Sequence, residues 1–116
     1  MVKNMKSLND LLEPVKTALL TVSENVGLFE AIDGTKDHII YAPDGEGESL
    51  DLDNIKDSQV LQGTIDLFVV PENRSLADDI QAALNAAEIS YSINSIQYED
   101  LEKSKFIHYE WVFEVC

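Results

Sequence analysis

The chain offers few residues able to do chemistry: two histidines, His38 and His108, one cysteine, Cys116, and 22 acidic side chains. A nucleophilic triad needs a serine or cysteine held beside a histidine. Here both histidines fall in strand-like runs with no nucleophile elbow around them. His108 alternates with Glu110, the pattern of a surface or interface position and not of a general base. Cys116 stands alone, so it forms no internal disulfide, and it reads as a free thiol without a role. The run Asp44-Gly45-Glu46-Gly47 has glycines at the wrong spacing for a phosphate loop and places acids where phosphate oxygens would sit.

The densest acidic stretch, PDGEGESLDLDN, carries Asp44, Glu46, Glu48, Asp51 and Asp53 with no basic residue. Carboxylate oxygens suit calcium, but an EF-hand beginning at Asp51 fails at Ile55 and puts Lys56 where glycine is required. Paired carboxylates could support glycoside chemistry, although no aromatic-lined subsite accompanies them. The expectation is therefore no catalytic residue, no cofactor and no metal site. The five acids form a solvated or partner-binding segment, which self-repulsion predicts to be extended or mobile when the protein is alone.

Those residues must be held by elements legible in the pattern. From Ser7 to Val26, Leu8, Leu11, Leu12, Val15, Leu19 and Val22 recur at steps of three and four, one apolar helical stripe. Ser7 and Asp10 have capping-box spacing, Pro14 should kink the helix or shift its start, and Gly27 supplies a stop. His38 to Ala42 reads as a strand leading into the acidic loop, about 43–57. Ser58 to Val70 alternates, with Leu61, Gly63, Ile65, Leu67 and Val69 on one face and Gln62, Thr64 and Asp66 on the other. Gly63 marks a bulge or a close backbone approach.

After Pro71, Ser75 with Asp78 and Asp79 predicts the start of a second helix with an alanine-rich stripe. Ser90 to Glu99 and Phe106 to Val115 predict a closing hairpin. In its last strand Ile107, Tyr109, Trp111, Phe113 and Val115 share one face, and Phe106, His108, Glu110, Val112 and Glu114 the other. Phe106, His108, Glu110 and Val112 are the candidate interface, because this strand carries more apolar surface than one small core covers. The order α-β-β-α-β-β predicts an α+β fold, a mixed or antiparallel sheet with two helices packed on one face. At 116 residues, without repeat or linker, one domain spanning 1–116 is expected.

The 8 basic against 22 acidic side chains give a net charge of −14. This is beyond the magnitude of about 2–8 usual for a small domain. The eight cations, Lys3, Lys6, Lys16, Lys36, Lys56, Arg74, Lys103 and Lys105, are scattered singly or in pairs, which disfavours direct nucleic-acid binding. No apolar run spans a bilayer, and the start MVKNMKSLND lacks a signal-like apolar region, so a cytoplasmic protein without membrane contact is expected.

The stretch HIIYAPDGEGESLDLDN, then QVLQGTIDLF, ISYSINSIQYED and FIHYEWVFEV, resembles small proteins of phage and prophage morphogenesis clusters, specifically tail terminators and related head-to-tail joining proteins. The resemblance covers about residues 38 to 115. It implies helices on one side of a β-sheet, no enzymatic activity, and a homo-oligomeric ring, commonly a hexamer. Such a ring caps the tail tube, meets the head connector and becomes part of the virion. Six copies at −14 each would carry about −84 around an opening through which DNA passes, a lumen that would not grip it. Two other readings are an acidic protein that mimics DNA charge to bind a basic nucleic-acid-binding protein, and a small enzyme whose carboxylates work with a metal.

Overall fold

A computed structural model describes residues 7–47 and 59–116. The order is helix α1 (Leu8–Leu20), strands β1 (Val26–Leu28), β2 (His38–Glu46) and β3 (Leu61–Val69), helix α2 (Ser75–Ala86), and strands β4 (Ser90–Leu101) and β5 (Ser104–Val115). The sheet order is β1-β2-β3-β5-β4, parallel only between β1 and β2. This is the expected α+β fold, two helices on a mixed five-stranded sheet, with one short strand added.

The alternation in β3 is complete: every second residue from Leu61 to Val69 is buried. Those side chains meet Trp111 and Phe113 of β5, Leu11, Val15 and Leu19 of α1, and Ile80 and Leu84 of α2 in one core. Both helices therefore cover the same face of the sheet. The Trp111 indole buries its apolar body there and donates from Nε1 to Gln81 Oε1 at 3.0 Å.

Ser7 caps α1 as its spacing implied, its Oγ accepting from Asp10 N at 3.1 Å. Pro14 neither breaks the helix nor shifts its start; it lies on the exposed side of α1. The helix stops at Leu20, six residues before the predicted span ends at Val26, because Val22 and Val26 pack on the core from non-helical chain. Gly27 consequently belongs to β1 and does not stop a helix. A side chain there would collide with the Glu30 carbonyl, which the following turn folds back over it.

Strand β2 runs on through Glu46, so Asp44 and Glu46 stand on a strand and not in a loop. Asp44 is the extra residue of a bulge between the pairs Pro43↔Gly63 and Gly45↔Gln62. Gly63 is the close approach its sequence position suggested, since a Cβ would strike both the Ala42 carbonyl and the Phe113 ring. Helix α2 begins at Ser75, but Arg74 holds the capping position without a side-chain bond, because the 3-10 turn Pro71–Asn73 feeds straight into it. Strands β4 and β5 extend to a two-residue turn, longer than the hairpin read from sequence. No helix among the described residues is long and apolar enough to cross a membrane.

Candidate interaction surface

The face of the sheet without helices collects the polar partners of each alternating strand. Registry places His38 of β2, Phe68 of β3 and His108 of β5 side by side. Their rings form a continuous stack, His38 on Phe68 with centroids 4.7 Å apart and planes 17° from parallel, Phe68 on His108 at 4.2 Å and 16°. Phe106 closes one end, tilted 57° to Phe68 at 6.0 Å. Offset stacking across adjacent strands of this kind stiffens a sheet surface.

Next to that ladder, Asp66 and Glu110 are direct cross-strand partners. His108 Nε2 lies 2.7 Å from Asp66 Oδ1, and Asn94 Nδ2 donates to Glu110 Oε1 at 2.5 Å. Burial pushes the Asp66 carboxyl above its ordinary range; the His108 hydrogen bond opposes this, and the neighbouring Glu110 charge and hydrogen bond add to it. Donor atoms of Asp66, His108 and Glu110 all lie within 4.8 Å of one another, so these three residues could hold a divalent cation. The trio sits on open strand and borders neither of the surface clefts described in this chain, a poor setting for excluding water around a reaction.

A cleft of about 530 Å³ opens at the His38 end of the same face, between segment 34–38 and the β4–β5 turn. Its floor includes His38, Phe68 and Phe106, and its rim carries Lys36, Lys103 and Lys105. Asn25 fastens the 33–37 wall, donating from Nδ2 to the Asp33 and Asp37 carbonyls at 2.9 Å each and accepting from Asp33 N at 3.1 Å. Asp37 ties that wall to the end of β3, its carboxylate accepting from Val70 N at 3.0 Å and Asn73 Nδ2 at 2.6 Å. Asp33 is held below the usual carboxylate range by hydrogen bonds from the Thr35 hydroxyl and backbone.

Both edges of the sheet expose apolar side chains. At the β1 edge Phe29 is 65% and Ile32 72% exposed; at the β4 edge Ile96 is 61% and Tyr98 56% exposed. Phe29 is held at φ 67°, a left-handed conformation rare for a bulky residue, by donating its N–H to the Tyr41 carbonyl at 2.9 Å. Along β4, Ile96 and Tyr98 pair with Tyr109 and Ile107 on the helix side of the sheet.

No family model matches the chain, and no curated protein matches it. Among solved structures, it is similar to a chain in the virion of a native gene transfer agent particle, with a TM-score of 0.53 and 13% identity. The alignment covers 90% of this chain and 92% of that one. At that identity the likeness is one of fold, and it runs through nearly the whole of both chains.

Of the residues singled out from sequence, Phe106, His108, Glu110 and Val112 do share one face of β5, the helix-free one. Asp44 and Glu46 are exposed at the far end of β2, and Glu48, Asp51 and Asp53 lie outside the described residues. Asp44 and Glu46 thus stand at the Val112 end of the sheet, away from Phe106 and His108. Sequence reasoning missed Asp66, Phe68 and His38 as partners of His108; only the β2-β3-β5 register, which no local pattern encodes, brings them together.

Proposed function

We propose that this chain is a structural subunit of a phage-like virion, a tail-terminator-like protein that closes into a ring on the tail tube and joins it to the head connector. It acts by assembly and not by catalysis. The observation that carries this reading is the pair of unlike apolar patches on opposite edges of one sheet, Leu28, Phe29 and Ile32 at β1 against Ile93, Ile96, Tyr98 and Leu101 at β4. Two different patches joined copy to copy make a head-to-tail contact, which closes as a ring when the rotation allows it. Exposed aromatics and isoleucines of this kind mark protein interfaces.

The fold likeness to a chain of a gene transfer agent virion supports the setting. The −14 charge suits a ring with DNA in its opening, since like charge on the wall lets the polymer slide. In this reading Asp44, Glu46, Glu48, Asp51 and Asp53 line the lumen or meet a basic neighbour. The stiff face bearing Phe106, His108, Glu110 and Val112 meets an adjacent ring.

Light scattering coupled to size exclusion across a wide concentration range tests it. A mass near six times 13.0 kDa, with rings in negative stain, is the expected result. A protein that stays monomeric and also fails to bind purified tail-tube protein would overturn the proposal.

A further inference from the structure

Three of the chain's eight basic residues line one cleft, Lys36, Lys103 and Lys105, with Asp37 as the acid among its lining residues. Asp37 is already engaged by Val70 N and Asn73. The ion pairs of Lys36 with Asp33 and of Lys105 with Asp100 are both 4.0 Å long between exposed side chains. Contacts of that sort hold a lysine weakly and leave it free to turn to another anion. Beneath the lysines lies an aromatic floor of His38, Phe68 and Phe106. In a chain of net −14 the lining of this cleft carries three cations and one acid over an apolar base, suited to an extended peptide that alternates acidic and aliphatic residues.

The chain itself contains such a peptide, Glu48-Ser49-Leu50-Asp51-Leu52-Asp53. In an extended conformation successive side chains point to opposite sides. Leu50 and Leu52 can then face the rings while Asp51 and Asp53 face the lysine ammonium groups.

Its own cleft is out of reach. Gly47 donates to the Val60 carbonyl at 2.8 Å, so the described residues flanking segment 48–58 meet at the Glu46 end of β2. The cleft lies at the His38 end, about 26 Å away along a nine-residue strand. Asp53, six residues from Gly47, extends at most about 21 Å from that anchor. We propose that the cleft binds the acidic segment 48–53 of a second copy, a head-to-tail contact between opposite ends of the sheet. The proposal deepens the self-assembly reading above and rests on it for its setting.

A fluorescently labelled peptide of residues 43–57, titrated into the full-length protein and followed by anisotropy, tests it. At about 0.15 M salt, where the Debye length is about 8 Å, the overall repulsion is screened while contact pairs survive. Saturable binding is expected there, weakening several-fold at about 1 M salt, where the screening length falls to about 3 Å. The double variant Lys103→Glu/Lys105→Glu, checked for folding by circular dichroism, should bind at least tenfold more weakly. The single variant Lys36→Gln, in a different segment, should weaken it less. Absence of saturable binding, undiminished binding to the double variant, or equal binding of a scrambled peptide of the same composition would overturn the proposal. Rings without peptide binding would remove this contact and leave the ring reading standing; peptide binding by a protein that associates without closing rings would keep the contact and remove the ring reading.

Discussion

His108 Nε2 lies 2.7 Å from Asp66 Oδ1, tying β5 to β3 between residues 42 apart in the chain. The pair is half-buried, and Glu110 faces Asp66 directly across the strands. Like charges opposite one another weaken a sheet, so the arrangement is most stable while one carboxyl keeps its proton.

That gives a pH dependence with a definite sign. Burial first, then Glu110, raises the folded Asp66 carboxyl above its ordinary value of 3.8. Just above 3.8 the native state therefore holds a proton that the unfolded chain has lost, and stability from this group falls as pH rises through the window between the two values. Asp66→Asn cannot titrate, so melting temperatures of wild type and variant, compared from about pH 3.5 to 7, should shift in the variant's favour as pH rises. A constant difference across that range would show that burial of Asp66 does not govern its titration.

Phe29 gives a separation of folding from assembly. A bulky residue at φ 67° costs on the order of 1 kcal/mol relative to glycine, and Phe29 is too exposed to recover this through packing in the isolated chain. Phe29→Gly should leave the melting temperature of the monomer unchanged or a few degrees higher, while lowering the mass seen by light scattering. A large loss of monomer stability would place Phe29 in the fold and not in an interface.

The β4 edge makes the matching case. Ile96→Thr with Tyr98→Thr places β-branched residues at both positions of the strand and removes exposed apolar area. Monomer stability should change by less than about 1 kcal/mol, since the exposed side chains contribute little to the core. Assembly should be lost, as read by the same scattering experiment, and mixing this variant with Phe29→Gly should not build closed rings.

How far the sequence alone reached follows from which contacts are local. The stripe of α1, the two faces of β3 and those of β5 were legible because period and burial coincide there, as at Ile65, Leu67, Trp111 and Phe113. Strand β1 was not, because three residues are too few to show a period and its support is a parallel pairing with β2. The end of α1 was misplaced because Val22 and Val26 satisfy a helical spacing while packing from the turn after the helix and from β1. The cleft was hidden for the same reason as the His108–Asp66 pair. Lys36, Lys103 and Lys105 look scattered along the chain, and only the sheet order sets segment 34–38 beside the hairpin turn.

Gly63 supplies the sharpest test of the packing between sheet and core. It stands opposite Pro43, at the bulge of β2, with the Ala42 carbonyl on one side and the Phe113 ring on the other, both closer than any Cβ could tolerate. The ring belongs to a fully buried residue, so it cannot swing away, and the carbonyl belongs to a paired strand. Gly63→Ala forces one of them to move, and overpacking of that kind costs about 1–3 kcal/mol and occasionally more. A drop in the urea midpoint of corresponding size, with an unchanged slope, is expected. Gly45→Ala, two residues beyond Pro43 on the same bulge but with open space around its Cα, should cost far less. Equal losses at the two positions would mean that backbone freedom at the bulge, and not the Phe113 contact, sets the requirement for glycine.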